Sequence, residues 1–599
     1  MVYAGAVAGV AMAALPTRAF ERFFPFWLRT FVRTRETGLA LCALVIGILS
    51  GALVALIANA AQFLHEVLFA LPVDQRLSAT VSIELWRALV FPVGGGFLLS
   101  AVVWLAGTRF KGRMADAIEA NALHGGRLSI GGSLYITLQT FISNACGASV
   151  GLEAAYTQVC CALSSVLGRG LAARRTDMRL LVACGAAGAI SAAFGAPLAG
   201  AFYAFEVVLG AYAVASLVPV VASAIVASLV SGMIMHRHGP LPVLTDFNAA
   251  TGAFFGHVFI LGVICAFGSI LLMQGVALAE RIFSHRRAPV VLRPALGGLI
   301  VGGFGLVTPQ VLGAGHGAFE LNLMQSVPLG MLAGLIVLKG LASAISLGSG
   351  FRGGLFFASL LIGGLLGRLY AETATLYTPF NFPAGLAAIA GMAAFGTGVL
   401  GAPVSMTVLA LEITGDFHVT AAALAASALS ALIVRETFGY SFATWRFHLR
   451  GETIRGPHDV GWVRQLNVAR LMRKDMRIVP ADVTVAVARD MFPPGVTKQI
   501  VALDSLGRYA GIVLAADLSG TSPDQAQQPV ADLAGQRDVW LLPGMNIRET
   551  LDMFETSETD VLAVIDDAET RRVLGVVTES HALRRYGEEL ERRNREFSK

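Results

Sequence analysis

The hydrophobic and polar positions divide the chain in two. From about Gly38 to Val434 long apolar runs recur, among them "GLALCALVIGILSGALVALIANAA" and "LRPALGGLIVGGFGLV". Many reach the roughly 20 residues that a bilayer-spanning helix needs. From about Arg446 the chain turns polar and reads as water-soluble. The pattern predicts a polytopic α-helical membrane domain over 37–450, with halves at about 37–235 and 255–445. A cytoplasmic N-terminal segment, 1–36, precedes it, and a linker, 451–465, follows. Two α/β units come next, at about 466–523 and 530–586, and a charged tail, 587–599, closes the chain. The opening "MVYAGAVAGVAMAAL" is apolar but lacks the basic flank of a signal peptide, and reads as an extra helix or a misplaced start.

Composition agrees with the membrane reading. Of 599 residues, 55% are hydrophobic and only 14% charged, where a soluble domain carries about 25%. A formal net charge of +5 is too small to suggest nucleic acid as a partner. Basic residues in "RTFVRTRE" and "TWRFHLRGETIR" flank the first and last apolar runs. By the positive-inside rule they place both ends on the cytoplasmic side of a plasma (inner) membrane, which requires an even number of crossings. Cys42, Cys146, Cys160, Cys161, Cys184 and Cys265 all lie in apolar segments without metal-ligand spacing and read as packing residues.

The membrane region contains itself twice. "CGAAGAISAAFGAPLAGAFYAFEV" ends at Val207 and "AGMAAFGTGVLGAPVSMTVLALEI" at Ile413. Gly185 matches Gly391, Gly195-Ala196-Pro197 matches Gly401-Ala402-Pro403, and Glu206 matches Glu412. Upstream, "GLEAA" from Gly151 matches "GLFFA" from Gly354, so the offset stays between 203 and 206. Internal duplication in a membrane protein points to channels and transporters, whose binding sites form where broken helices of the two halves meet.

The glycine-rich segments "SNACGASVGLEAA" and "SLGSGFRGGLFFAS" each lead into an apolar helix. Helix N-termini carry free N–H groups and about half a positive charge, so two facing each other would hold an anion without a full countercharge. Such binding is weak enough to release, which suits conduction. Glu153 then has a role. An intramembrane carboxylate costs about 2.5–3.5 kcal/mol on insertion scales, which marks it as functional unless it merely caps the helix locally. Ionised, it occupies the site as a tethered anion; protonated, it leaves and admits a free one.

These residues resemble the ClC family of chloride channels and anion/proton exchangers. "SAAFGAPLAGAFYAFE" is similar to that family's A-F-x-A-P-L-A-G segment, "GLEAA" stands where the family has G-[KR]-E-G-P, and "GGLFFASL" where it has G-G-x-F-x-P. "VLGAGHGAFE" and Lys339, fifteen residues before Gly354, also fit. The resemblance implies an inverted repeat of tilted and broken helices and a homodimer with one pore per subunit. It makes Glu153 the gate and puts Gly151, Leu152, Leu355, Phe356 and Phe357 at the anion-binding helix starts. Departures are also present. Leu152 replaces the basic residue of the glutamate motif, Ala154-Ala155 its Gly-Pro, and Ala358 the later Pro. Gly112 stands for the serine of G-S-G-I-P and Ala443 for the pore tyrosine, with Tyr440 three residues earlier. Val207 stands where exchangers commonly carry an acid as an internal proton relay, which favours passive conduction.

The tail resembles a pair of CBS domains, which dimerise and often bind adenine nucleotides. "QIVALD" and "VLAVID" read as strands, "DSLGR" and "DDAETR" as hairpin turns, and "YAGIVL" and "LGVVT" as return strands. By the resemblance, Asp517 and Thr578 are the candidate contacts to ATP, ADP or AMP, while a purely structural dimerisation module explains the same hydrophobic pattern.

The expectation is a gated passive anion channel. The alternatives are an anion/proton exchanger of the same fold and a non-conducting sensor. A cation carrier would need more acids in the broken segments, and an intramembrane hydrolase an HExxH or paired aspartates in the apolar runs.

Overall fold

The computed structural model describes residues 24–107, 115–235, 252–285, 289–325, 327–378, 382–449, 466–493, 499–521 and 525–597. The apolar opening, Gly112 and the linker 451–465 lie outside them. The chain divides into two compact units, Met1–Asp459 and Val460–Lys599.

Among its described residues the first unit is helical apart from turns and one isolated bridge. α1 (Phe26–Thr34), inside the segment that hydropathy sets before the membrane domain, packs on α2 (Glu36–Phe69). The first half continues through α3 (Leu85–Gly107), α4 (Ala117–Leu123), α5 (Ile130–Ala145), α6 (Glu153–Gly170), α7 (Arg175–Phe194), α8 (Pro197–Tyr203) and α9 (Val214–Ile234). A π-helical turn, Ala204–Leu209, extends α8. The second half repeats the order as α10 (Gly252–His285), α11 (Arg293–Val307), α12 (His316–Met324), α13 (Leu329–Ser349), α14 (Phe356–Tyr377), α15 (Ala384–Leu400), α16 (Pro403–Thr414) and α17 (Phe417–Thr437). α18 (Phe442–Leu449) follows. Among the described residues, 8 helices are long and apolar enough to cross a membrane.

The halves repeat in packing as well as in order. α2, α7 and α9 pack together, and so do their counterparts α10, α15 and α17. The most buried of the long helices is α7, 78% buried over its apolar window against 39% for α2, because small residues let its neighbours close in. A Cβ on Gly185 of α7 would strike the Ser164 hydroxyl of α6, and one on Gly363 of α14 would strike the Gly391 carbonyl of α15. Small residues at such crossings are how apolar helices pack without a hydrophobic driving force between them.

The second unit holds two similar motifs. β1 (Ile478–Pro480) runs parallel to β2 (Gln499–Leu503), which pairs antiparallel with β3 (Tyr509–Leu514); β4 (Val561–Ile565) and β5 (Val573–Thr578) form the matching hairpin. Both hairpins shift register near the turn, at Ala502/Leu503 and at Val564/Ile565. The turns form where "DSLGR" and "DDAETR" predict them. Asp504 Oδ1 accepts from the N–H groups of Leu506 and Arg508, and Asp567 Oδ1 from those of Glu569 and Thr570. Val501, Tyr509 and Ile512 of the first hairpin cluster with Val561, Ala563 and Ile565 of the second, so the motifs bury a shared apolar face. Short helices α19 (Val468–Leu471), α20 (Val485–Met491) and α21 (Ala515–Gly520) belong to this unit, as do α22 (Ile547–Ser557) and α23 (Glu579–Phe597).

Candidate functional site

Glycine at positive φ ends both helices that lead to the site. After α5 the chain turns through Gly147 (φ 88°), and after α13 through Gly350 (φ 114°), a region that side chains with a Cβ rarely adopt. The two segments then meet. Gly151 N–H donates to Gly354 O at 2.9 Å, and Gly354 N–H donates to Gly151 O at 3.1 Å. This antiparallel bridge joins repeat-equivalent residues and so lies on the local two-fold axis of the halves.

A second reciprocal pair supports the first. Ser149 N–H donates to Ser346 Oγ at 3.0 Å, and Arg352 N–H donates to Ser143 Oγ at 3.1 Å. Both partners again match at an offset of 203. Asn144 Nδ2 adds a bond to Val150 O at 2.8 Å. The non-helical backbone is thereby satisfied from within the protein, the condition on which it is tolerated inside a membrane domain. Motif reasoning missed these serines, although the repeat offset pairs them.

Two residues beyond the bridge, each helix begins. Leu152 precedes α6 and Leu355 precedes α14, neither with a side-chain cap, so the first-turn N–H groups have no side-chain acceptor at the cap position. Leu152, Leu355, Phe356 and Phe357 are buried around this junction. Glu153, the first residue of α6, is 4% exposed, and its carboxylate folds back over Gly151, where a Cβ would collide with Oε2. That oxygen has no hydrogen-bond partner among the described residues. A buried carboxylate oxygen left without a partner is unstable as a purely structural feature.

Aromatic rings wall the α14 start. Phe194 stacks on Phe356 at 4.9 Å between centroids, Tyr203 lies 6.0 Å from Phe356, and the His316 imidazole stacks on Phe357 at 3.6 Å. The segment leading into α12 wraps Lys339, which is fully buried and donates from Nζ to Val311 O (3.0 Å) and Gly313 O (2.8 Å). Lys339 and Glu153 are thus a cation and a carboxylate that are both buried in this unit.

The repeat glutamates have another task. Glu206 accepts from the N–H groups of Val404 (3.0 Å) and Ser405 (2.8 Å) and from the Ser405 hydroxyl. Glu412 accepts from the N–H groups of Leu198 (2.7 Å) and Ala199 (2.8 Å). Each half thus caps the broken helix of the other, α16 or α8, at the helix N-terminus that favours a carboxylate. Val207, next to Glu206, is buried in the π-helical turn.

The other predicted positions that the structure describes belong to other elements. Ala443 is half-buried in the first turn of α18, whose start is capped by Ser441 and Thr444 through their own hydroxyls. Tyr440 packs its ring on Trp445 at 5.6 Å and Phe438 at 6.3 Å. In the second unit Asp517 is exposed in the first turn of α21. Thr578 is half-buried and its hydroxyl accepts from His581 N–H at 3.3 Å, capping α23. Thr578 ends β5 as Leu514 ends β3, and Asp517 stands three residues beyond Leu514, where the second motif has His581.

Two halves whose broken helices meet on a local two-fold axis, each capping the other, define a ClC-type membrane transport fold. Residues 95–435 match the voltage gated chloride channel family and residues 530–588 the CBS domain. The chain belongs to the voltage gated chloride channel family and carries a CBS domain at 530–588. It is 30% identical over 403 residues to the voltage-gated ClC-type chloride channel ClcB of Escherichia coli O17:K52:H18, covering 66% of this chain and 95% of that protein. The fold matches a slow cyanobacterial Cl−/H+ antiporter with a TM-score of 0.58 at 20% identity, over 69% of this chain and 97% of the other. It also matches a eukaryotic CLC transporter with a TM-score of 0.58 at 17% identity, over 91% and 97%.

Proposed function

We propose that the chain passes chloride or another small anion between the starts of α6 and α14, with Glu153 as the gate. The observation that carries this reading is the Gly151–Gly354 bridge with the Glu153 carboxylate laid over it. It sets an anionic group, one oxygen unpartnered among the described residues, at the junction of two helix N-termini. Ionised, that carboxylate competes for the place of a free anion; protonation removes its charge and its hold. Lys339, fixed on two carbonyls, contributes positive charge that either anion can use. The phenylalanine wall keeps water out, which strengthens every charge interaction inside.

Passive conduction is the favoured mode. Val207 cannot carry a proton, and Glu206 beside it is already occupied as a helix cap. Exchange of anions for protons is the second reading, because the same fold serves a Cl−/H+ antiporter. The path is formed within one chain, consistent with a homodimer of independent pores in an inner or plasma membrane with both ends cytoplasmic. The CBS pair would bind an adenine nucleotide through Asp517, exposed at the start of α21, and near Thr578.

The test is anion efflux from proteoliposomes with external pH recorded alongside. Chloride efflux without proton uptake is expected. Stoichiometric proton uptake would make the protein an exchanger. Absence of flux for chloride, nitrate and fluoride alike would overturn the anion path.

A further inference from the structure

A cavity of about 240 Å³ lies in the first unit, behind the segment that leads to Gly354. Met273, Val276, Ala277 and Glu280 of α10 line it at the spacing of one helix face, and Phe442, Trp445 and Arg446 of α18 do the same. Ala443 lies about 100° round α18 from Phe442 and does not line the cavity. Phe351, Arg352 and Gly353 close the third side.

The lining is amphipathic. Met273, Val276, Ala277 and Phe351 are buried and apolar, whereas Glu280 and Arg352 are exposed. Arg446 is half-buried, 5.8 Å above the Phe442 ring. Among the described lining residues two guanidinium groups stand against one carboxylate, and the planar donors of arginine suit carboxylate and phosphate. The volume is below the roughly 300 Å³ at which drug-sized sites begin, too small to enclose a nucleotide.

We propose that this cavity binds an anionic amphiphile: one carboxylate or phosphate group on an apolar body. Arg352 and Arg446 take the head, and the apolar part lies against Val276, Ala277 and Phe351. Such a group could come from an acidic phospholipid or from a free organic acid. Its consequence is local. Arg352 N–H holds Ser143 and Gly353 adjoins the Gly354 bridge, so an occupant touches the backbone that shapes the α14 start.

Benzoate is the probe, measured by equilibrium dialysis against the full chain in phosphatidylcholine nanodiscs, with empty discs subtracted. Saturable binding at one per chain is expected. Arg352→Ala should weaken it at least tenfold, and Glu280→Gln should tighten it severalfold by removing the opposing charge from an exposed position. Phosphatidylglycerol in the discs would displace benzoate if the natural occupant is a lipid and leave it unchanged if it is a free acid; both outcomes support the site. No saturable binding above empty discs, or binding unmoved by both variants, overturns it. Benzoate held in the proposed anion path would respond to chloride and not to Glu280, so the two sites fail separately.

Discussion

The starts of α6 and α14 share one backbone and differ in what they carry. Both follow a bridging glycine and a leucine, and both lean on a serine of the opposite half. At the first helical position one bears Glu153 and the other Phe356. By contrast, Glu206 and Glu412 are the same residue in both halves and do the same reciprocal capping. Where the halves agree, the residue builds the scaffold. Where they disagree, one half supplies a charge and the other an apolar wall, and the chemistry lies in that difference.

The comparison can be broken most forcefully at the shared residues. Glu206→Ala and Glu412→Ala each remove at least two charge-assisted hydrogen bonds, each worth about 1.5–3 kcal/mol. Thermal melting in detergent should fall by similar amounts in both variants; a large drop in only one would deny the symmetric role. The next effect is functional and asymmetric. Wild-type anion flux should fall as pH rises while Glu153 loses its proton, by up to about tenfold per unit. Glu153→Ala should raise flux and abolish that dependence, whereas Phe356→Ala should keep it; an intact pH response in Glu153→Ala would remove the gate assignment.

A finer comparison uses the bridging glycines. A methyl group at Gly151 collides with the Glu153 carboxylate, the movable end of a side chain, but at Gly354 it meets nothing closer than 3.7 Å. Gly151→Ala should displace the gate and raise efflux at neutral pH severalfold, with Gly354→Ala close to wild type; equal effects would show that Glu153 does not rest there. The smallest effect is in the tail. Hydrogen bonds from the Thr570 hydroxyl and nearby backbone N–H groups hold the Asp566 carboxyl below its ordinary range. The ionised form is the one favoured by folding, so this contribution is complete above the ordinary aspartate pKa and is lost as pH falls through the lowered value. Hydrogen exchange of the β4–β5 turn in the full chain should quicken at the acid end, less so in Asp566→Asn.

Much of the fold was legible because it repeats or because it is local. The motif offset announced two halves, and the aspartate-led turns of the tail formed where their chemistry placed them. Glu153 stood out because a lone carboxylate in an apolar run has few structural excuses. Tyr440 lies three residues from Ala443, and its ring packs on Trp445 and Phe438, neighbours that spacing along the chain does not predict. Ser143, Ser346 and the stack of His316 on Phe357 were not legible, since their partners are 209, 197 and some forty residues away in the chain.

By itself the sequence determined the membrane class, the duplication and the carboxylate that breaks the duplication's symmetry, because hydropathy, spacing and charge are properties of the chain alone. Only the tertiary structure decided that Gly151 pairs with Gly354, that Glu206 and Glu412 cap each other's halves, and that Glu153 turns back over the bridge. The bridge and the two caps join segments about two hundred residues apart, and no local preference specifies them. They form because buried N–H and carboxylate groups must find partners, and folding the two halves together places those partners within reach.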